Sequence, residues 1–260
     1  MSVMVVRVPR RAGHIIERNL MAYKHEWLVL VSGFLEPVLY LMGIGFGIGS
    51  LVPSVSSGGH TMSYAMFVAP ALMASAAMNG AITETIFNFY FKLRYVKSFE
   101  AVIATPIEVE DAVLGEVIWA VARGSVYSVG FVVLMFAFGL LTSPMALLAI
   151  PAGILIGFAF GAAGAAVTAF IRSWQDFDLV QLAALPMFLF SGTFFPITVY
   201  PEPLRLVIEW TPLYHGVNLI RGLTTGTAGL EQVGNVAYLV GLTLLGFTIA
   251  ALRLRRQLLK

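Results

Sequence analysis

Cysteine is absent from the 260 residues, which rules out disulfides, thiolate metal sites and a cysteine nucleophile. Charge is nearly as scarce: 12% of residues are charged and 58% are hydrophobic, a balance that no soluble domain holds. The net charge of +2 is too small to draw a nucleic acid, and the basic residues flank apolar runs instead of forming a patch. Lysine occurs four times and never after glycine, so there is no GxxxxGK[ST] phosphate cradle. Asp176 and Asp178 are the closest approach to a magnesium-holding aspartate cluster, and they suit a helix start better. His25 and Glu26 open an HExxH zinc pattern, but Val29 occupies the place of the second histidine. No resident metal or cofactor is expected.

What the chain has in abundance is apolar sequence of membrane-spanning length. With no long polar insertion, residues 1–260 read as one all-α integral membrane domain. Arg7, Arg10, Arg11 and His14 interrupt residues 1–19, so the first span is expected to be its own targeting signal. Ile16, Leu20, Tyr23 and Trp27 recur at helical spacing and predict an amphipathic interface helix over 14–27. Six spans are expected over 28–51, 62–89, 106–141, 144–171, 178–195 and 236–252. Glu36 interrupts the first beside Pro37, and a carboxylate there must be neutral, paired or facing a cavity. Glycines four apart, Gly43 to Gly49 and Gly153 to Gly161, predict close helix seams. In the second span Asn79 and Glu84 are polar interruptions, with Glu84 expected within reach of water. Arg123 in the third is expected to snorkel toward Glu116.

Two connections carry their own structure. Leu93, Val96, Phe99 and Ile103 recur beside Lys92, Lys97 and Glu100, predicting a short amphipathic helix over 92–104. Thr105, Pro106 and Glu108 then read as the capping box of the next helix. Residues 196–222 are too apolar for a loop and too broken by Pro196, Pro201, Pro203 and Pro212 to span. They predict a re-entrant hairpin, its second helix running from Pro212 to Arg221 and ending at Gly222. Such a hairpin would cap the exit of a transport path, with Phe194, Phe195, Tyr200, Trp210, Tyr214 and His215 as its candidate residues. His215, near Asn218 and Arg221, reads as a hydrogen-bonded hairpin residue.

Arg7, Arg10, Arg11, Arg18 and Lys24 precede the first span, Lys92, Arg94 and Lys97 follow the second, Arg172 follows the fourth, and Arg253, Arg255, Arg256 and Lys260 close the chain. All fall on one side, against Arg205 and Arg221 on the other. The positive-inside rule therefore predicts a multi-pass plasma-membrane protein with both termini cytoplasmic.

This order resembles the permease subunit of type-2 ATP-binding-cassette exporters over nearly the whole chain. LEPVLYLMGIGFGIG (35–49), SFEAVIATPI (98–107), LGE (114–116) and the FLFSGTFFPITVYP and TPLYHGVNLIRG stretches look most like the branch exporting nodulation-type lipo-oligosaccharides and daunorubicin-type drugs. The resemblance implies a bacterial exporter of an amphipathic molecule: a glycolipid, a lipid-linked saccharide or a drug. It implies a second permease copy or paralogue, membrane lipid around the pair, and a separate nucleotide-binding ATPase that holds ATP and magnesium. It makes the helix over 92–104 a coupling helix, with Lys92, Arg94, Lys97, Phe99 and Glu100 meeting the ATPase. It also assigns the substrate path to spans one, two and five, hence to Glu36, Tyr40, Asn79, Phe188 and Phe190. Two other readings stay open: an intramembrane lipid-modifying enzyme using Glu36 or Glu84, and an ion-coupled transporter using Glu36.

Overall fold

The computed structural model describes residues 13, 17–19, 21, 35–57, 59–96 and 108–258. Its architecture is α-helical, with one two-stranded hairpin. Helix α1, Leu35–Ser50, winds as a π-helix over Leu41–Gly47 and a 3-10 turn over Ile48–Ser50. Strands β1, Ser54–Ser57, and β2, His60–Ser63, pair antiparallel, and left-handed Gly59 (φ +78°) turns the chain between them. Ser63 caps the next helix by accepting from the Met66 amide at 3.3 Å. That helix, α2 (Tyr64–Arg94), includes a π-segment over Thr83–Asn88. It is followed by α3 (Val109–Ala137), α4 (Pro144–Thr168), α5 (Asp176–Phe190), α6 (Glu202–Glu209), α7 (Pro212–Thr225) and α8 (Glu231–Leu258).

Four of these, α2, α3, α4 and α8, are long and apolar enough to cross a bilayer. Helix α2 is the central one, and almost every side chain from Tyr64 to Met78 is buried. Phe67, Leu72, Met73 and Met78 of α2 meet Phe131 and Met135 of α3, Ile156 of α4, and Leu213 and Ile220 of α7 in one core. Small residues bring the helices this close. Gly153, Gly157 and Gly161 of α4 lie against Ser128, Val121 and Val117 of α3 as their spacing predicts. Gly246 of α8 sits so tightly that a methyl group there would be 2.7 Å from the Ala163 backbone nitrogen. In α1 the seam is one-sided. Gly45 and Gly49 approach Ala65 and Tyr64 of α2, whereas nothing lies within 4 Å of a Cβ built on Gly43.

Several boundaries differ from expectation. Helix α2 runs on to Arg94, so Lys92 and Arg94 extend a membrane helix instead of opening a separate one. Tyr95 and Val96 leave the helix in a turn, and from Lys97 on the expected coupling helix, with Phe99 and Glu100, lies outside the described residues, as do Thr105 and most of the interface helix. Glu108 is itself the N-cap of α3, with extended backbone and a reciprocal capping box to Asp111. Helix α5 stops at Phe190, short of 195, because Ser191–Phe195 forms a turn around left-handed Gly192. Helix α7 passes Gly222 to end at left-handed Gly226, and Gly222 instead admits the Gln232 side chain. Finally, α8 extends five residues before and six beyond the expected 236–252.

Helices α6 and α7 form the hairpin. Gly216 of α7 abuts Ile156, seven residues or ~10 Å into the α-helical part of α4. Tyr238, seven residues into α8, donates to the Trp210 carbonyl at 2.7 Å. The hairpin tip therefore sits well inside the span of its neighbours, and α7 climbs back until Thr142 donates to the Thr224 carbonyl at 3.1 Å.

Candidate functional site

Polar groups within the apolar bundle gather at three places. The first is the basic end, where α2 ends and α3 begins. Glu116, two turns into α3, is 2% exposed. It accepts from Lys92 Nζ at 2.8 Å, Arg18 Nη2 at 2.5 Å and Asn19 Nδ2 at 3.1 Å. Lys92 also donates to Asn19 Oδ1 at 3.1 Å, which closes a ring of four side chains from three segments. Such a ring resolves the desolvation penalty of each charge with another. Two turns deeper, Arg123 pairs with Glu84, which also accepts from Asn88 at 2.8 Å. Both pairings correct the sequence reading. Arg123 reaches across to α2 instead of back along its own helix, and Glu84, 3% exposed, is buried away from water. At the same end Arg255 of α8 pairs with Glu110 at 3.6 Å.

An aromatic group closes this end. Tyr90, Tyr95, Trp174 and Phe177 make edge and tilted ring contacts of 5.1 to 6.2 Å, and Trp174 Nε1 donates to the Tyr95 hydroxyl at 2.7 Å. The group ties the last turn of α2 to the α4–α5 connection. Within that connection the Asp176 carboxylate accepts from the amides of Arg172 (2.7 Å) and Ser173 (3.2 Å). Those two backbone bonds hold it below the usual aspartate range.

The second place lies between α1 and α5. Tyr40 and Phe188 are in ring contact at 5.7 Å, Phe188 meets Phe194 at 5.2 Å, and the Tyr64 hydroxyl donates to the Phe194 carbonyl at 3.2 Å. Phe190 packs on Tyr200 at 5.7 Å. Glu36 and Asn79 are both exposed on the single chain. Of the expected path residues, only Tyr40 and Phe188 are thus brought into contact, while Phe190 packs on Tyr200.

The third place is the hairpin. His215 stacks on Tyr238 at 3.9 Å and bonds Asn235 Oδ1 at 2.7 Å, and Asn235 donates in turn to Gln232. Its partners are on α8. Arg221 is the residue whose role the sequence left unread. Buried at 8% exposure, its guanidinium donates to the carbonyls of Phe67 (2.9 Å) and Gly192 (2.6 Å) and lies 3.9 Å over the Phe67 ring. It fastens α7 to α2 and to the turn after α5. A lone cation in an apolar stretch was the signal that could have marked it. Phe195 and Trp210 stay exposed at the hairpin surface, and Tyr214 is half-buried. Among the described residues no group of histidine and acidic side chains could hold a metal.

The described residues form a packed helical bundle with internal ion pairs, as a membrane transport subunit would. Comparisons with known proteins agree. The chain is 33% identical to nodulation protein J of Rhizobium leguminosarum bv. trifolii over 94% of its own length and 92% of the relative's. It is 31% identical to nodulation protein J of Rhizobium meliloti (strain 1021), over 93% and 92%. It is also 24% identical to the inner membrane transport permease YadH of Escherichia coli (strain K12), over 83% and 82%. The family model of the ABC-2 type transporter matches residues 11–224, and with this match the chain belongs to the ABC-2 transporter membrane family.

Proposed function

We propose that this chain is the membrane permease of an ATP-driven exporter that moves an amphipathic molecule, a glycolipid, lipid-linked saccharide or drug, out of the cytoplasm or inner leaflet. A separate nucleotide-binding subunit supplies ATP hydrolysis, a second permease copy or paralogue completes the path, and both termini face the cytoplasm. The observation that carries this reading is the ring around Glu116. It locks the end of α2, just before the segment 97–107, to α3 and to the N-terminal residues Arg18 and Asn19. A push on the α2–α3 connection therefore moves three segments as one. Glu84 is engaged by Arg123 and Asn88, which argues against its use as an intramembrane base.

Coexpression with a nucleotide-binding subunit tests the reading. The pair is expected to copurify and hydrolyse ATP, with no turnover by this chain alone and stimulation by the transported amphiphile. Phe99→Ala in the connection is expected to weaken recovery of the pair by about 2 kcal/mol if Phe99 anchors the contact. Substrate transport that follows a proton gradient without ATP would overturn the proposal in favour of ion coupling through Glu36.

A further inference from the structure

A cavity of about 720 Å³ opens between α5 and the body formed by α2, α4 and α8. Its walls are apolar: Ile86 of α2, Val167 of α4, and Leu179, Ala183 and Met187 of α5. Charge appears at one end alone, where Arg172 and Asp176 stand at the mouth. Along α5 the lining runs from Asp176 to Met187, eleven helical rises or ~16 Å, and along α4 and the turn after it from Phe160 to Phe170, ~15 Å. Each is close to half of the roughly 30 Å hydrocarbon core, the depth of one leaflet. Pro212 and Leu242 lie among the lining residues that face Met187 at the deep end. The mouth coincides with the ring group of Tyr90, Tyr95 and Trp174, residue types that settle at the headgroup level of a bilayer. Length, polarity and position therefore describe a slot for one acyl chain whose headgroup stays at the mouth.

The headgroup chemistry follows from the two charges. The Arg172 guanidinium has no ion pair among the described residues, although Asp176 is close enough to be influenced by its charge. A guanidinium takes phosphate oxygens in a fork, and a carboxylate takes an ammonium. We propose that this slot holds a bilayer phospholipid with a zwitterionic, primary-amine headgroup, its phosphate on Arg172, its ammonium on Asp176 and one acyl chain between α5 and α4. Helix α5 buries only Phe177 and Ala184 against the rest of the chain, so the lipid serves as its missing packing partner. This site is separate from the proposed substrate path and needs no ATPase.

The full chain reconstituted in vesicles of equal parts phosphatidylethanolamine, phosphatidylglycerol and phosphatidylcholine provides the test. One lipid at a time carries a photoreactive group midway along an acyl chain. The ethanolamine probe is expected to label α5 and the 160–170 stretch above all other lipid-facing helices. Ala183→Trp, which fills the slot, should lower that labelling about tenfold, while Leu182→Trp on the exposed face of α5 leaves it unchanged. Arg172→Gln should lower labelling by all three probes on the order of tenfold, the effect of one charge-assisted contact. Asp176→Asn should erase the preference for ethanolamine. Uniform labelling of all lipid-facing helices, indifference to Ala183→Trp, or equal labelling by the three probes overturns the proposal. So does a disulfide between two copies carrying Leu179→Cys, which would place a second chain in the slot.

Discussion

Removing the carboxylate of Glu116 separates the strong from the weak interactions at the basic end. Its side chain is 3% exposed, that of Lys92 17% and that of Arg18 35%. Glu116→Gln keeps the shape but leaves two cations facing each other, one of them largely desolvated. Breaking a buried pair from one side costs about 3–5 kcal/mol. Lys92→Met removes one well-buried charged hydrogen bond and should cost about 2–3 kcal/mol. Arg18→Ala removes an equally short contact, but solvent reaches that guanidinium and screens it, so the loss should stay below about 1 kcal/mol. The expected order is Glu116→Gln, then Lys92→Met, then Arg18→Ala, read as the apparent unfolding free energy of the full chain in mild detergent titrated with a denaturing one. Arg18→Ala matching Glu116→Gln, or all three within 1 kcal/mol of the parent, would refute the claim that burial sets the strength of this ring.

Single cysteines report topology without background, because the chain has none of its own. Labels at Ser57 and Thr227 should react from outside and at Ser98 only once the inner face is opened; the reverse pattern inverts the orientation. A label at Tyr200 should be shielded relative to one at Gly229, and equal reaction would make the hairpin a surface loop. Gly246→Ala drives a methyl group into the α4 backbone and should lower unfolding stability by about 1–3 kcal/mol, an overpacking loss, while Gly241→Ala, with open space around it, should not. Because Asp176 is held below its ordinary value of 3.8, the turn at 172–176 should keep its full stability above that pH and loosen as pH falls further. Trp174 fluorescence follows it, and Asp176→Asn should flatten the acid transition.

The all-α membrane character and the α4 seam were legible because bilayer length and glycine spacing act within one segment. Gly153, Gly157 and Gly161 could be read without knowing their neighbour. The ion pairs were not legible in that way. Glu84, Arg123 and Glu116 were each visible as a charge in an apolar run, but which one met which depended on the rotation of α2 against α3. Periodicity along a single helix does not fix that rotation. Span ends were misjudged where a turn residue had competitors: Gly222 and Gly226 both suit a C-cap, and only Gly226 has room for the left-handed backbone away from Gln232. Tyr40 and Phe188 come together across α1 and α5, whereas Phe190, grouped with them by resemblance, packs on Tyr200 instead.

Arg221 also sets an order of biogenesis. A short helix carrying a bare guanidinium does not settle in hydrocarbon by itself, since each unpaired charge there is costly. The carbonyls that receive it belong to Phe67 and Gly192, made 154 and 29 residues earlier in the chain. Helices α2 and α5 must therefore already stand in the membrane before α7 can tuck in. The hairpin is a late closure, and a nascent chain halted before Pro212 would hold α1 to α6 without the piece that fastens α2 to the end of α5.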